Sequence, residues 1–140
     1  MISLEKIADA FEERFEDCTQ YLNIETGEVI NVPNSPWVFG KEEYDQLQTL
    51  VDEEEEYYML PADYELRDKP IMYAFAESIE EKNVSEQLLS QLHRSHPYRH
   101  YKDMVFELGI EQEYYDFLHK SYVEIAREWC KHHKLKYSDI

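Results

Sequence analysis

Apolar residues recur at steps of three and four along most of the chain, which is the spacing of helices with one buried face. The first such stripe consists of Leu4, Ile7, Ala8, Phe11 and Phe15. Ser3 precedes it and is a good N-cap, because its hydroxyl can accept a hydrogen bond from the first helical turn. Five further stripes begin at Tyr44, Ile71, Val84, Tyr98 and Tyr115. The pattern therefore predicts six helices, of which the last is the longest.

Local signals set the expected ends of several helices. Asn83 and Glu86 have the spacing of a capping box, in which both side chains bond to backbone N–H groups at a helix start. The second helix, from about Lys41, runs into five acids at positions 52–56, whose negative charge opposes the helix dipole. We expect this helix to end there. Residues 57–60 should then be extended, because Pro61 disfavours helical backbone at the preceding residue.

A strand pair is predicted over residues 20–25 and 28–32, and the length of the loop between them decides which side chains share a face. A two-residue loop would put the apolar side chains of the two strands on opposite faces. A three-residue loop puts four of them on one face, namely Leu22, Ile24, Ile30 and Val32. We therefore predict a three-residue loop in which Gly27 takes the left-handed conformation and forms a bulge.

Together these elements predict an α+β fold that is predominantly α-helical, with about six helices packed around one small antiparallel β-hairpin. A lone hairpin is marginally stable in water, so its apolar face is expected to pack against helices. The pattern shows no repeat, linker or second apolar core. We therefore predict a single domain over residues 1–140.

Cysteine usage and hydropathy favour a cytoplasmic protein. Cys18 and Cys130 are the only cysteines and form no paired motif, which is typical of a reducing compartment. Charged residues interrupt the apolar positions near the N-terminus, so no signal-peptide core is expected there. No segment reaches the roughly 20 apolar residues of a membrane helix, and we expect no membrane partner.

The charge is strongly acidic and unevenly distributed. The chain carries 31 acidic residues against 14 Lys and Arg, a formal net charge of −17. Residues 1–81 hold 22 of the acids and five of the bases, whereas residues 82–140 hold nine of each. This charge repels nucleic acid, so a nucleic-acid partner is not expected. It is typical either of a solvated surface that aids solubility or of a face that binds a basic protein.

Residues 93–102 form one cationic stretch in this acidic chain, with histidines, arginines and a lysine interleaved with two tyrosines. Arginine can grip a phosphate or carboxylate through paired hydrogen bonds, and histidine adds positive charge below about pH 6.5. The candidate ligand-binding residues are Arg94, Arg99, His100 and Lys102. Alternatively, Tyr98 and Tyr101 belong to the core and the bases pair with the protein's own acids.

Trp37 lies in a loop that also contains Pro33, Pro36 and Gly40. A tryptophan in a loop can anchor a protein interface, or it can fold back over the core as a lid. An anchoring Trp37 and the acidic run define the candidate protein-interaction residues, which are Trp37, Glu53, Glu54, Glu55 and Glu56.

Motifs of the common enzyme classes are missing. Gly27, Gly40 and Gly109 are the only glycines, which excludes the usual phosphate-binding and dinucleotide-binding loops. The chain has no G-x-S-x-G elbow, no H-E-x-x-H motif and no paired-cysteine zinc pattern. We therefore predict no catalytic residues, no cofactor and no metal ligands, and the sequence favours a non-enzymatic protein.

Several segments follow one another in a distinctive order. They are the hairpin string Tyr21–Ile30, the acidic run leading into Tyr57–Pro61, the segment Tyr98–Asp103 and the closing helix around Glu128–Cys130. In this order and spacing the chain resembles a bacterial group catalogued as Uncharacterised Protein Family 0158. Asn23 stands where that family usually has an acid, and Ser95-His96-Pro97 replaces a glycine-containing segment. The resemblance supports the predicted fold and implies no activity, cofactor or site residue.

Two functional hypotheses remain open. In the first, this is a small acidic non-enzymatic interaction protein that presents an acidic face to a basic protein partner. In the second, it is a binding or enzymatic domain that holds a phosphate-bearing or acidic small ligand with residues 93–102.

Overall fold

The fold is that of a computed structural model, which describes residues 1–66 and 68–139 apart from the side chains of residues 63 and 64. Over these residues the helices are α1 Leu4–Glu12, α2 Lys41–Glu53, α3 Asp63–Leu66, α4 Asp68–Ser78, α5 Lys82–Gln91, α6 Pro97–Glu107 and α7 Glu111–His132. The strands are β1 Ile2–Ser3, β2 Cys18–Asn23, β3 Val29–Pro33, β4 Tyr57–Met59 and β5 Tyr137–Ser138. The predicted α+β class, predominantly α-helical, is confirmed, and the predicted hairpin is part of a three-stranded antiparallel sheet.

The chain divides into two compact units. Unit 1 comprises Met1–Leu66 and Tyr122–Ile140, and unit 2 comprises Arg67–Ser121. The single domain over residues 1–140 stays a prediction. None of the described helices is both long enough and apolar enough to cross a membrane.

In unit 1, β2 is the central strand of a three-stranded antiparallel sheet, between β3 and β4. The predicted three-residue loop is wrong, because Leu22 pairs with Val29 and four residues, 24–27, lie between Asn23 and Glu28. Gly27 has a φ of 79°, so its predicted left-handed conformation is confirmed. The side-chain oxygen of Asn23 accepts hydrogen bonds from two backbone N–H groups of the loop, which fixes the longer turn.

The observed register places apolar side chains on both faces of this sheet. Val32 pairs with Thr19 and therefore lies on the face opposite Leu22. Leu22 and Val32 are both buried, so both faces are covered rather than one. On the Leu22 face, the Gln20 amide donates a 2.7 Å hydrogen bond to the Ala10 carbonyl of α1.

Helix α1 begins as predicted, since the Ser3 hydroxyl accepts a hydrogen bond from the Lys6 N–H group. The stripe Leu4, Ile7, Ala8 and Phe11 is buried. Phe15, the last member of the predicted stripe, is 56% exposed because α1 has already ended at Glu12. Helix α2 ends at Glu53, within the acidic run, and β4 follows as the predicted extended segment.

Unit 2 has its own aromatic core among α4, α5, α6 and the start of α7. Its buried residues are Met72, Phe75, Ala76, Leu88, Leu92, Tyr101, Val105 and Tyr114. Two predictions are wrong here. The capping box is not formed, because α5 begins at Lys82 and Asn83 lies within its first turn. At the start of α7 Tyr114 is buried, whereas Tyr115, the first member of the predicted stripe, is 52% exposed.

Candidate functional site

The Trp37 loop connects β3 to α2 and is fixed at its beginning. The Asn34 N–H group donates a 2.8 Å hydrogen bond to the carbonyl of Asp17, in the connection between α1 and β2. The Thr19 hydroxyl lies 2.7 Å from the Asn34 side-chain oxygen. At the other end Gly40 has a φ of 98°, which permits a sharp change of direction before α2 begins. The loop is therefore held against the α1–β2 connection.

This attachment places three aromatic side chains on the surface of unit 1. Trp37 is 90% exposed, Phe39 is 50% exposed and Phe15 is 56% exposed. The rings of Phe15 and Phe39 meet edge to face with centroids 6.5 Å apart. Trp37 thus does not fold back as a lid on the core. We call Phe15, Trp37 and Phe39 the aromatic patch.

Acidic residues flank the aromatic patch in both segments that build it. Around Phe15, the exposed acids are Glu12, Glu13, Glu16 and Asp17. After Phe39, Glu42 and Glu43 are exposed in the first turn of α2, where they stabilise the positive end of the helix dipole. The patch is therefore an apolar surface with negatively charged borders.

Glu53–Glu56 form a separate acidic corner at the other end of α2. Glu53, Glu54 and Glu55 are exposed and Glu56 is partly buried. The Glu56 carbonyl accepts a 2.8 Å hydrogen bond from the Ile24 N–H group, which brings the hairpin loop beside this corner. Because α2 has 13 residues, the acidic corner lies about 20 Å along the helix from the aromatic patch. The structure thus separates Trp37 from Glu53–Glu56.

The predicted cationic residues lie in unit 2, Arg94 in the connection between α5 and α6 and the others on α6. Arg94, Arg99 and Lys102 are exposed, and His100 is partly buried. The Arg94 guanidinium donates a 3.0 Å hydrogen bond to the side-chain oxygen of Gln91. Among the described residues of unit 2, no acid forms an ion pair with Arg94, Arg99 or Lys102. The alternative in which these bases pair with acids therefore finds no support within this unit.

His100 lies within the electrostatic reach of two arginines of this segment. Partial desolvation lowers the pKa of His100, and the charges of Arg94 and Arg99 lower it further, whereas Asp103 acts in the opposite direction. An anion bound near these groups would relieve the repulsion. Of the two tyrosines in the segment, Tyr101 is fully buried as the core alternative predicted, but Tyr98 is 48% exposed.

Phe15 and Phe39 were missed as candidate site residues. The spacing of Phe15 continues the buried stripe of α1, and spacing alone does not show that the helix ends at Glu12. Phe39 lies two residues after Trp37 in a loop with two prolines and a glycine, and this proximity was the available signal.

Comparisons with known proteins give one finding. The family model described as Uncharacterised protein family (UPF0158) matches residues 1–139. Comparison with curated proteins and with solved structures found no match. The match extends over nearly the whole chain, including both units and all the segments described above. The chain therefore belongs to the Uncharacterised protein family (UPF0158).

Proposed function

We propose that this protein is a cytoplasmic, non-enzymatic interaction protein that binds a basic protein partner through an acidic surface of unit 1. The aromatic patch supplies the anchor of that surface. The acidic corner extends the surface and attracts the partner from a distance.

The observation that carries this proposal is the exposure of Trp37, together with two neighbouring phenylalanines. Tryptophan is among the residues that contribute most to protein–protein binding when they become buried in an interface. Exposing clustered large aromatic side chains to water is unfavourable in free energy, and burial against a partner would remove this exposure. Their rings also accept cation–π contacts from Lys or Arg of a basic partner.

The charges support the same kind of partner. The acids of Glu12–Asp17, Glu42 and Glu43 border the aromatic patch, and the acidic corner lies at the far end of α2. Negative potential over such a surface raises the association rate of a positively charged protein and keeps acidic proteins away. Because exposed charges are screened by salt, this contribution should weaken as ionic strength rises.

The test begins with a tagged pull-down from a native bacterial extract at about 50 mM and about 500 mM salt, read by mass spectrometry. Each captured partner is then produced in pure form, and its dissociation constant is measured by calorimetry. We expect Trp37→Ala to weaken binding about 30-fold, the effect of losing an interface anchor of about 2 kcal/mol. Replacing Glu53–Glu56 with lysine should weaken it further and reduce the salt dependence.

Matched controls separate a local interface from a general charge effect. Phe106→Ala removes another exposed aromatic ring, which is 72% exposed in unit 2. Replacing the exposed acids Glu77, Glu80, Glu107 and Glu113 with lysine changes the net charge by the same amount as the acidic-corner variant. Both controls should bind the partner normally. If the Trp37 and acidic-corner variants bind as tightly as the unmodified protein, the proposal is wrong.

We propose the cationic residues of unit 2 as a second candidate, a site for a phosphate-bearing or acidic small ligand. Desolvation lowers the pKa of His100 and the charges of Arg94 and Arg99 lower it further, and these same arginine charges would attract an anion. Pyrophosphate should raise the melting temperature, and Arg99→Ala should remove this effect whereas Lys120→Ala should not. Bound pyrophosphate should also raise the His100 pKa measured by NMR. An unchanged melting temperature and an unchanged His100 titration would exclude this candidate.

A further inference from the structure

A cleft of about 360 Å³ lies between α1 and the sheet of unit 1, next to the aromatic patch. Asp9 of α1 and Glu13, directly after α1, line one side, and Gln20 and Asn31 of the sheet line the other. Phe15 belongs both to this cleft and to the aromatic patch. We call it the amide cleft.

Two buried oxygen atoms of the amide cleft lack hydrogen-bond partners among the described residues. They are Gln20 Oε1 and Asn31 Oδ1. The Gln20 side chain is 94% buried, since its residue is only 6% exposed, and its Nε2 atom donates to the Ala10 carbonyl. This bond fixes the orientation of the amide, because the opposite orientation would bring two oxygens together. The orientation of the amide therefore leaves Gln20 Oε1 as the atom without a described partner.

The two amides lie side by side. Gln20 and Asn31 are directly paired across β2 and β3, so their side chains leave the same face of the sheet about 5 Å apart at Cβ. Both oxygens are buried, so a group in the cleft reaches them only when the surrounding side chains shift. Hydrogen bonds made in such surroundings are stronger than at the surface. Two adjacent acceptors without described partners thus lie beside the cleft, and a donor-rich group would satisfy both.

The other lining groups indicate that this donor group is a cation. Asp9 and Glu13 add negative charge. Lys6, a cation among the described lining residues, is engaged in an ion pair with Glu28. Phe15 contributes a partly exposed ring on which a flat cation can stack. A guanidinium group combines these properties, because it is planar, permanently charged and carries five donors in a fixed arrangement.

We propose that the amide cleft binds the guanidinium group of an arginine side chain of the basic partner. Its N–H groups donate to Gln20 Oε1 and Asn31 Oδ1, and Asp9 and Glu13 balance its charge. A lysine ammonium group fits less well, since it is a compact, strongly hydrated charge that cannot span two acceptors in one plane. The partner as the source of the arginine rests on the proposed function, whereas the cleft chemistry can be tested without any partner.

The experiment titrates the full-length protein with N-acetylarginine methylamide, followed by NMR of backbone and side-chain amides. N-acetyllysine methylamide is the matched probe. We expect the arginine compound to shift the side-chain amide signals of Gln20 and Asn31, with at least tenfold tighter binding than the lysine compound. Equal affinities, or an arginine titration that leaves both side-chain signals unchanged, would overturn the proposal.

Two variants make the test independent of folding defects. Asn31→Leu removes one unpartnered oxygen, so it should lose at least tenfold in arginine binding while its melting temperature stays equal or rises. Glu13→Gln changes only an exposed charge and should weaken arginine binding about threefold. Asn83→Leu, an exposed residue of unit 2, is the control and should bind normally. Unchanged arginine binding by Asn31→Leu would also overturn the proposal.

The outcome is distinguishable from failure of the proposed function. If the arginine probe binds but Trp37→Ala leaves partner affinity unchanged, the cleft chemistry holds and the interaction surface is wrong. If Trp37→Ala weakens partner binding but the probe does not bind, the interaction surface holds and the amide cleft is wrong.

Discussion

The Tyr101 hydroxyl provides the sharpest test of the unit 2 core. Tyr101 is fully buried, and its hydroxyl donates a 2.7 Å hydrogen bond to the Met72 carbonyl, which joins α6 to α4. Its ring meets that of Tyr114 edge to face at 5.7 Å. Tyr101→Phe removes the hydroxyl and keeps the ring, so the variant isolates the hydrogen bond from the packing.

The expected change in unfolding free energy depends on whether removal of the Tyr101 hydroxyl leaves the Met72 carbonyl without a partner. The Met72 carbonyl lies in the middle of α4 and keeps its helical acceptor role toward the residue four positions later, so it is not left without a partner. The expected loss is therefore that of one buried hydrogen bond, about 1 kcal/mol of unfolding free energy. For a protein of this size this lowers the melting temperature by about 3 °C.

The assay is urea unfolding followed by circular dichroism, with hydrogen exchange at the amides of α4 and α6 to locate the effect. Tyr115→Phe is the matched control, because Tyr115 is 52% exposed and its loss of a hydroxyl should change stability by less than about 0.5 kcal/mol. If both variants are destabilised equally, the hydrogen bond to Met72 does not contribute as the structure implies.

The pKa of Tyr101 gives a second prediction, which concerns folding stability at alkaline pH. Burial raises the pKa of Tyr101 above its ordinary value. The folded state therefore favours the neutral phenol, and this contribution is present below about pH 10 and is lost as the unfolded chain ionises at higher pH. The stability difference between the unmodified protein and Tyr101→Phe should shrink above about pH 10. A constant difference would contradict the buried phenol.

Three further predictions concern unit 1. Gly27→Ala should cost about 1–2 kcal/mol in urea unfolding, because a side chain at a φ of 79° is strained although the space around it is open; Gly27→Asn should cost less, and equal stability of all three proteins would contradict the turn. Burial lowers the pKa of His133, and the charge of His132 lowers it further. The contribution of the neutral imidazole to folding stability is therefore fully present above about pH 6.5 and is lost as pH drops through the folded pKa. His133→Gln should flatten the pH dependence of unfolding between about pH 7 and pH 5, and an unchanged slope would refute this. Burial raises the pKa of Cys130 to about 11, so mass spectrometry after iodoacetamide treatment at pH 8 should find Cys18 modified first; equal rates would show that Cys130 is accessible.

Local signals predicted most of the helical fold. The N-cap at Ser3, the end of α2 within the acidic run and the left-handed Gly27 all depend on residues close in the sequence, and all three are confirmed. The family resemblance is confirmed over residues 1–139. These features are readable because a cap, a helix dipole or a positive φ needs only a few neighbouring residues.

Only part of the candidate site is readable from the sequence. Trp37 was identified from its loop, but its neighbours Phe15 and Phe39 were not, because their proximity depends on how the β3–α2 loop is held against the α1–β2 connection. The unpartnered oxygens of Gln20 and Asn31 were also missed. They depend on a strand register that the sequence analysis predicted incorrectly.

The sequence by itself determined the six longer helices, the Ser3 cap and the uneven charge, since each depends on residue type and short-range spacing. Tertiary structure alone decided the register of the hairpin and the exposure of Phe15 and Tyr115. A loop one residue longer reverses which side chains share a face, and the Asn23 side chain stabilises that longer loop. Whether an apolar residue is buried depends on what packs against it, and that surface is built by segments distant in the sequence.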